Sequence, residues 1–194
     1  GTVTAGIVSA LGRDEVGSSQ FTDYFQLDAA INSGNSGGPT FDMNGRVIGM
    51  NTLGYIAPGT TSKVEGIGFA IPASVIQRVV RDLRDTGQVT RGFVGVQIEA
   101  LSDDTAKALG LPNANGALVT DVVAGSPAER GGFKRSDVVL KMNGTVIKDN
   151  RDLSRRIAAL QVGQTATFAV WRDNKQITLT VTVAKRERVA ALDT

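Results

Sequence analysis

A mainly β protein in two lobes, with short helices set between strands, is what this 194-residue sequence predicts. Three observations carry the prediction. Apolar and polar residues alternate in short runs such as "TATFAVWRDNKQITLTVTVA". Two-residue turn signals, Asn44-Gly45 and Asn143-Gly144, join pairs of these runs. Helical spacing is confined to a few segments, one of which divides the chain near Val89. The expected organisation is a first lobe over residues 1–89, a second over residues 90–185, and a tail or linker over residues 186–194.

In the first lobe "TVTAGIVSA" alternates like a strand. "GPTFDM" and "NGRVIGMNTLG" form a hairpin about Asn44-Gly45, and "EGIGFAIP" adds another strand. The segment "ASVIQRVVRDLRDTG" places Val75, Ile76, Val79, Val80 and Leu83 at helical spacing and stops at Gly87. That helix is expected to close the lobe.

The second lobe opens with a strand, "FVGVQIEA", and a short helix, "SDDTAKALG", capped by Ser102 and ended by Gly110. "GALVTDVV" is a strand. "SPAERGG" is a single helical turn with Ser126 as cap and Pro127 at the first helical position. "DVVLKMNGTVI" reads as a hairpin, and "DNRDLSRRIAALQVG" as a helix with Leu153, Ile157 and Leu160 on one face. Two final strands turn at Asp173-Asn174.

Composition removes several function classes. A formal net charge of +2 gives no field suited to nucleic acid, and the clusters "RDLSRR" and "KRER" carry interspersed acids. No apolar run is long enough for a membrane span. With no cysteine and no histidine, thiolate chemistry and most zinc chemistry are absent, so no metal and no cofactor are expected. The opening residues have neither an initiator Met nor the pattern of a signal peptide, and they begin inside a strand-like run. The expectation is a chain taken from something longer.

The chemistry centres on "DAAINSGNSGGPT", Asp28 to Thr40. Gly34, Ser36 and Gly38 satisfy the nucleophile elbow of α/β-hydrolases. With Pro39 they also resemble the G-D-S-G-G-P signature of chymotrypsin-like serine proteases, Asn35 replacing the Asp. Chain order decides. An α/β-hydrolase needs its histidine after the serine, and none follows; a chymotrypsin-like enzyme has both His and Asp before it. Glycines around Ser36 let the backbone turn tightly, so that the amides of Gly34 and Ser36 can face a developing oxyanion. Lys63, the one lysine of the first lobe, is expected in a loop and matches no motif of a serine–lysine enzyme.

"GIVSALGR", "QLDAAINSGNSGGP", "NGRVIGMNT" and "GIGFAIP", in this order, resemble the C-terminal half of an HtrA (DegP/DegQ-type) serine protease. "RGFVGV" and "SPAERGGFKRSDVVLKMNG" resemble the PDZ domain that follows in that family. The resemblance implies the C-terminal barrel of an antiparallel, chymotrypsin-like β-barrel fold, then a PDZ domain. It assigns Ser36 as nucleophile, with Gly34 and Ser36 supplying the oxyanion hole, while the triad His and Asp match nothing here. It places regulatory loops at Gly12–Phe25 and Asn51–Glu65. Asn35 cannot form the ion pair that an Asp makes with a new amino terminus, so activation falls to loop rearrangement. One departure is Ser136, where the family usually has Gly.

The resemblance further implies a periplasmic or cell-envelope endopeptidase of unfolded proteins, built on trimers. No acid lies among the seven residues before Ser36, so the specificity pocket is expected to be apolar: Ile31 on one wall, Ile67 and Phe69 on another. A PDZ domain adds a peptide C-terminus as a strand. Phe93, Val94, Gly95 and Val96 are the expected carboxylate loop, with Leu153 and Ile157 on the facing wall. The alternative is a binding protein only: a PDZ module, or a degenerate protease.

Overall fold

Where a turn is coded by two residues, this chain builds a hairpin; where an apolar stripe repeats at helical spacing, it builds a helix. The computed structural model describes residues 2–13, 24–32, 34–56 and 63–185. Of the expected loops Gly12–Phe25 and Asn51–Glu65, residues 14–23 and 57–62 lie outside these, as does the tail 186–194; the described remainder of both loops is strand, because it pairs with neighbouring strands. The chain divides into two units, Gly1–Val89 and Thr90–Thr194.

The first unit holds β1 (Val8–Arg13), β2 (Tyr24–Leu27), β3 (Pro39–Phe41), β4 (Val47–Ile56), β5 (Lys63–Pro72) and α1 (Ala73–Thr86). The strands form one antiparallel sheet in the order β1-β2-β5-β4-β3. Two expectations shift. The first strand begins at Val8, because alternation supplies no partner and only from Val8 does β1 face β2. Upstream, Ile7 is tied to Asp28 instead: its N–H donates to Oδ1 at 2.7 Å, and its carbonyl accepts from the Asp28 N–H at 3.2 Å. Lys63 is not in a loop but opens β5 opposite Ile56.

Helix α1 packs beside β4 and β5 and ends as expected, with Gly87 in the left-handed region and its N–H donating to the Leu83 carbonyl at 2.9 Å. Its apolar stripe is only partly covered: no residue of α1 is buried, and Val80 and Leu83 are half exposed. The buried apolar side chains described in this unit are Tyr24, Leu27, Ile31, Phe69 and Ala70.

The second unit contains β6 (Gly92–Phe93), β7 (Val96–Ala100), α2 (Asp103–Ala108), β8 (Ala117–Val122), α3 (Pro127–Arg130), β9 (Val138–Met142), β10 (Thr145–Val146), α4 (Asn150–Ala159), β11 (Thr165–Arg172), β12 (Lys175–Thr182) and β13 (Ala184–Lys185). Its main sheet runs β12-β11-β9-β8-β7, with β10 on β9 and a separate pair β13-β6. The expected strand "FVGVQIEA" is thus two strands, broken at Val94-Gly95. Local chemistry accounts for the helix starts: Ser102, Ser126 and Asp149 each accept the amide three residues on. The core runs through Val119, Val139, Ile147, Leu153, Ala166, Phe168 and Val181, with Phe133 set edge-on to Phe168 at 5.3 Å. Behind it, Asp137, with no exposed surface, receives Arg172 through both carboxylate oxygens at 2.6 and 2.7 Å.

Candidate active site and peptide groove

Ser36 sits between β2 and β3 on a turn that the sheet holds from one side. The Asn35 N–H donates to the Asn32 carbonyl at 3.0 Å and the Gly38 N–H to the Asn35 carbonyl at 3.0 Å, curling the chain around the serine. Gly34 adopts φ +95°, a conformation nearly closed to other residues, so its identity is set by the turn. Asn35 Nδ2 reaches back to the Ala30 carbonyl at 3.4 Å. The neutral amide is thus used locally.

β4 supplies the anchorage. Gly37 N–H donates to the Asn51 carbonyl at 2.8 Å, and Asn51 N–H to the Gly38 carbonyl at 2.9 Å. The next carbonyl along, Thr52, accepts the Ser36 hydroxyl at 2.9 Å. A carbonyl holds the hydroxyl but cannot remove its proton, so this arrangement positions a nucleophile without activating it. Among the described residues, the amides of Gly34 and Ser36 donate to no protein acceptor. Two exposed donors beside a serine hydroxyl are the elements that an oxyanion requires.

The sequence-derived pocket residues are distributed differently from the expectation. Ile31 packs on Gly68, where an added Cβ would meet Ile31 Cγ1 at 2.3 Å. Alternation along β5 puts Ile67 and Phe69 on the other face from Gly68. Phe69 is 2% exposed and lies edge-on to Tyr24 at 6.4 Å. Its ring belongs to the core, and the half-buried Ile67 lies on the face of β5 away from Ile31, so the three do not line one pocket; Ile31, packed on Gly68, is the pocket candidate that remains. Asn51 and Thr52, expected at the start of a regulatory loop, lie instead in β4, and no local signal links them or Thr40 to Ser36.

In the second unit, Phe93–Val96 forms the loop between β6 and β7. Gly95 has φ +92°, and a Cβ there would meet Ser126 Cβ at 2.2 Å, so the backbone lies directly on the cap of α3. Carbonyls fasten the loop: Val94 accepts from Ala128 N–H at 2.7 Å and Gly95 from Val123 N–H at 2.9 Å. β7 pairs with β8 alone among the described strands, so it is an edge, and α4 packs beside it. An open strand edge facing a helix is the geometry of strand addition. One expectation fails here. Leu153 has 0% exposure and is core, because the stripe that docks α4 cannot also line a groove; Ile157 is 7% exposed. Val96 and Ile98, half buried on β7, are the apolar side chains next to the edge.

Residues 92–183 match the PDZ domain family and residues 1–50 the trypsin-like peptidase domain family. A relative in Rhizobium meliloti (strain 1021), named as a probable periplasmic serine endoprotease, DegP-like, is 52% identical over 183 residues, covering 94% of this chain and 36% of its own length. The HtrA-type protease AlgW, solved with a tripeptide, is 39% identical with a TM-score of 0.78, across 96% of this chain and 61% of its own. Along nearly its whole length this chain is similar to HtrA-type proteases. A serine endoprotease from Yersinia pestis shares the fold at 31% identity and a TM-score of 0.61, covering 96% of this chain and 57% of its own. The chain spans about a third of the length of the curated relatives it matches.

Proposed function

We infer that the complete protein is a serine endopeptidase in which Ser36 attacks the scissile carbonyl and the second unit binds the C-termini of peptides. The observation that supports this reading is the serine turn: a nucleophile held by the Thr52 carbonyl beside two amides with no acceptor among the described residues. The chain contains no histidine, so the general base and its orienting acid come from elsewhere in the complete protein. The relatives' names support a periplasmic location and endoprotease activity. Action on unfolded proteins, and assembly into trimers, follow from the family and remain part of the same proposal. An apolar wall at Ile31 favours small aliphatic side chains, with loose selectivity because a methylene discriminates by only about 1–3 kcal/mol.

Digestion of reduced, unfolded casein by the complete protein tests the reading. Hydrolysis should vanish in Ser36→Ala, and mass spectrometry should find cuts after Val, Ala or Ile. Activity that survives the substitution, or cuts chiefly after Arg or Lys, would refute it. For the isolated chain the second reading applies: with Ser36 bonded to a carbonyl and no histidine present, it binds peptides without cleaving them.

A further inference from the structure

The geometry points to Thr40 and Asn51 as a positioning pair for the nucleophile, an inference that rests on the reading of Ser36 given above. The Thr40 hydroxyl and the Asn51 side-chain amide oxygen lie 2.8 Å apart, part-buried, with the hydroxyl donating. Thr40 opposes Gly49 across β3–β4, so Asn51 is its diagonal neighbour on the same face. That side-chain bond sits directly behind the contacts that hold the serine turn. Asn51 uses its N–H on Gly38 and its carbonyl on Gly37, and the following carbonyl takes the Ser36 hydroxyl. Two adjacent residues of β4, Asn51 and Thr52, therefore hold three successive positions of the turn.

The physical need for a latch is local. The turn is rich in glycine, and Gly34 and Gly37 both adopt positive φ, so the backbone has little intrinsic stiffness to keep Ser36 in place. Register shifts interrupt the pairing on both sides: between Thr40 and Phe41 on β3, and between Asn51 and Leu53 on β4. The ladder around Asn51 is thus irregular on both sides, although Asn51 itself faces Ala70 on β5. Tying its side chain to Thr40 removes the freedom that remains. A nucleophile displaced by a fraction of an ångström loses rate without losing substrate affinity, because approach geometry is set at the reacting atoms. Neither Thr40 nor Asn51 need touch substrate for this to hold.

Thr40→Val keeps the shape and deletes the hydroxyl, and Thr40→Ser restores the hydroxyl. In the complete protein, Thr40→Val should lower kcat roughly tenfold with KM changed less than about twofold, and Thr40→Ser should recover most of the loss. Deuterium uptake in fragments spanning residues 37–51 should rise in Thr40→Val and return to normal in Thr40→Ser. Unchanged kcat together with unchanged uptake in Thr40→Val would overturn the latch, as would a loss that Thr40→Ser fails to repair. If the complete wild-type protein hydrolyses nothing, the proposed function falls instead. The uptake comparison then decides the latch alone: equal uptake refutes it, and faster uptake repaired by serine supports it.

Discussion

The second unit encloses its core, with Val119, Leu153, Phe168 and Val181 shut away by a six-stranded sheet and α4. In the first unit, five strands and a 14-residue helix bury little, and described apolar side chains such as Ile7, Leu11, Phe41, Val80 and Leu83 face solvent. The recognition module is self-sufficient, whereas the unit bearing Ser36 presents apolar surface of the kind that further protein normally covers. On the proposed reading, catalysis therefore depends on protein outside the first unit, and peptide binding by the second unit does not.

The largest expected effect separates the two units outright. Residues 90–185 expressed alone should melt in one sharp two-state transition by calorimetry, and residues 1–89 should show no cooperative transition and should bind a hydrophobic dye. A sharp melt of the first unit alone would break the comparison. Next comes Arg172→Ala, which strands the buried Asp137 carboxylate. Denaturant titration should register a loss of about 3–5 kcal/mol confined to the second unit. The Arg172 guanidinium is held even further above its ordinary value by the Asp137 hydrogen bonds, so it stays charged at every practicable pH. Amidating a bound peptide should weaken binding to the second unit by about 1.5–3 kcal/mol in calorimetry, because a charged acceptor is lost. Equal affinities would remove the groove assignment.

Two smaller tests refine the picture. Ser136 carries φ +71° with its N–H on the Val119 carbonyl, a bond that glycine would keep. Ser136→Gly should stabilise the second unit by about 0.5–1 kcal/mol, since relief of left-handed strain exceeds the added unfolded-state entropy. In the first unit, Asp42 receives the backbone N–H of Arg46, its side chain and the N–H of Asn44, and these lower its pKa below the usual carboxylate value. A depressed pKa stabilises the hairpin above the unfolded value and loses that stabilisation as pH falls through the folded one. Protection factors for amides across residues 42–46, corrected for the intrinsic exchange rate, should therefore fall only on acidification below the ordinary aspartate range, and Asp42→Asn should abolish the trend.

Features coded over a few adjacent residues were legible in the sequence. Ser126-Pro127, Asn44-Gly45 and Asn143-Gly144 each fix a cap or a turn through their own chemistry, and the structure places them there. The serine turn was legible for the same reason. Features that depend on distant partners were not. β2 is four residues long, too short for periodicity, and β13 exists only because β6 lies opposite it, some ninety positions upstream in sequence. The stripe of α4 showed which face is apolar but not that Leu153 would be wholly consumed in docking the helix. Asn51 and Thr40 meet the serine turn through the sheet, and no spacing rule connects them.

The open edge of β7 carries a liability as well as a use. Any extended chain, including another copy of the same strand, finds free donors and acceptors there, and an edge that accepts unfolded chains is a seed for aggregation. β7 carries two safeguards. Its pairing with β8 slips between Gln97 and Ile98, which twists the edge away from flatness, and Glu99 stands exposed beside it. A second copy of β7 would bring like charge against Glu99 and meet a bent rather than a straight ladder. On the proposed reading, a strand whose own end brings a free carboxylate to the Phe93–Val96 loop gains a contact that such a copy lacks.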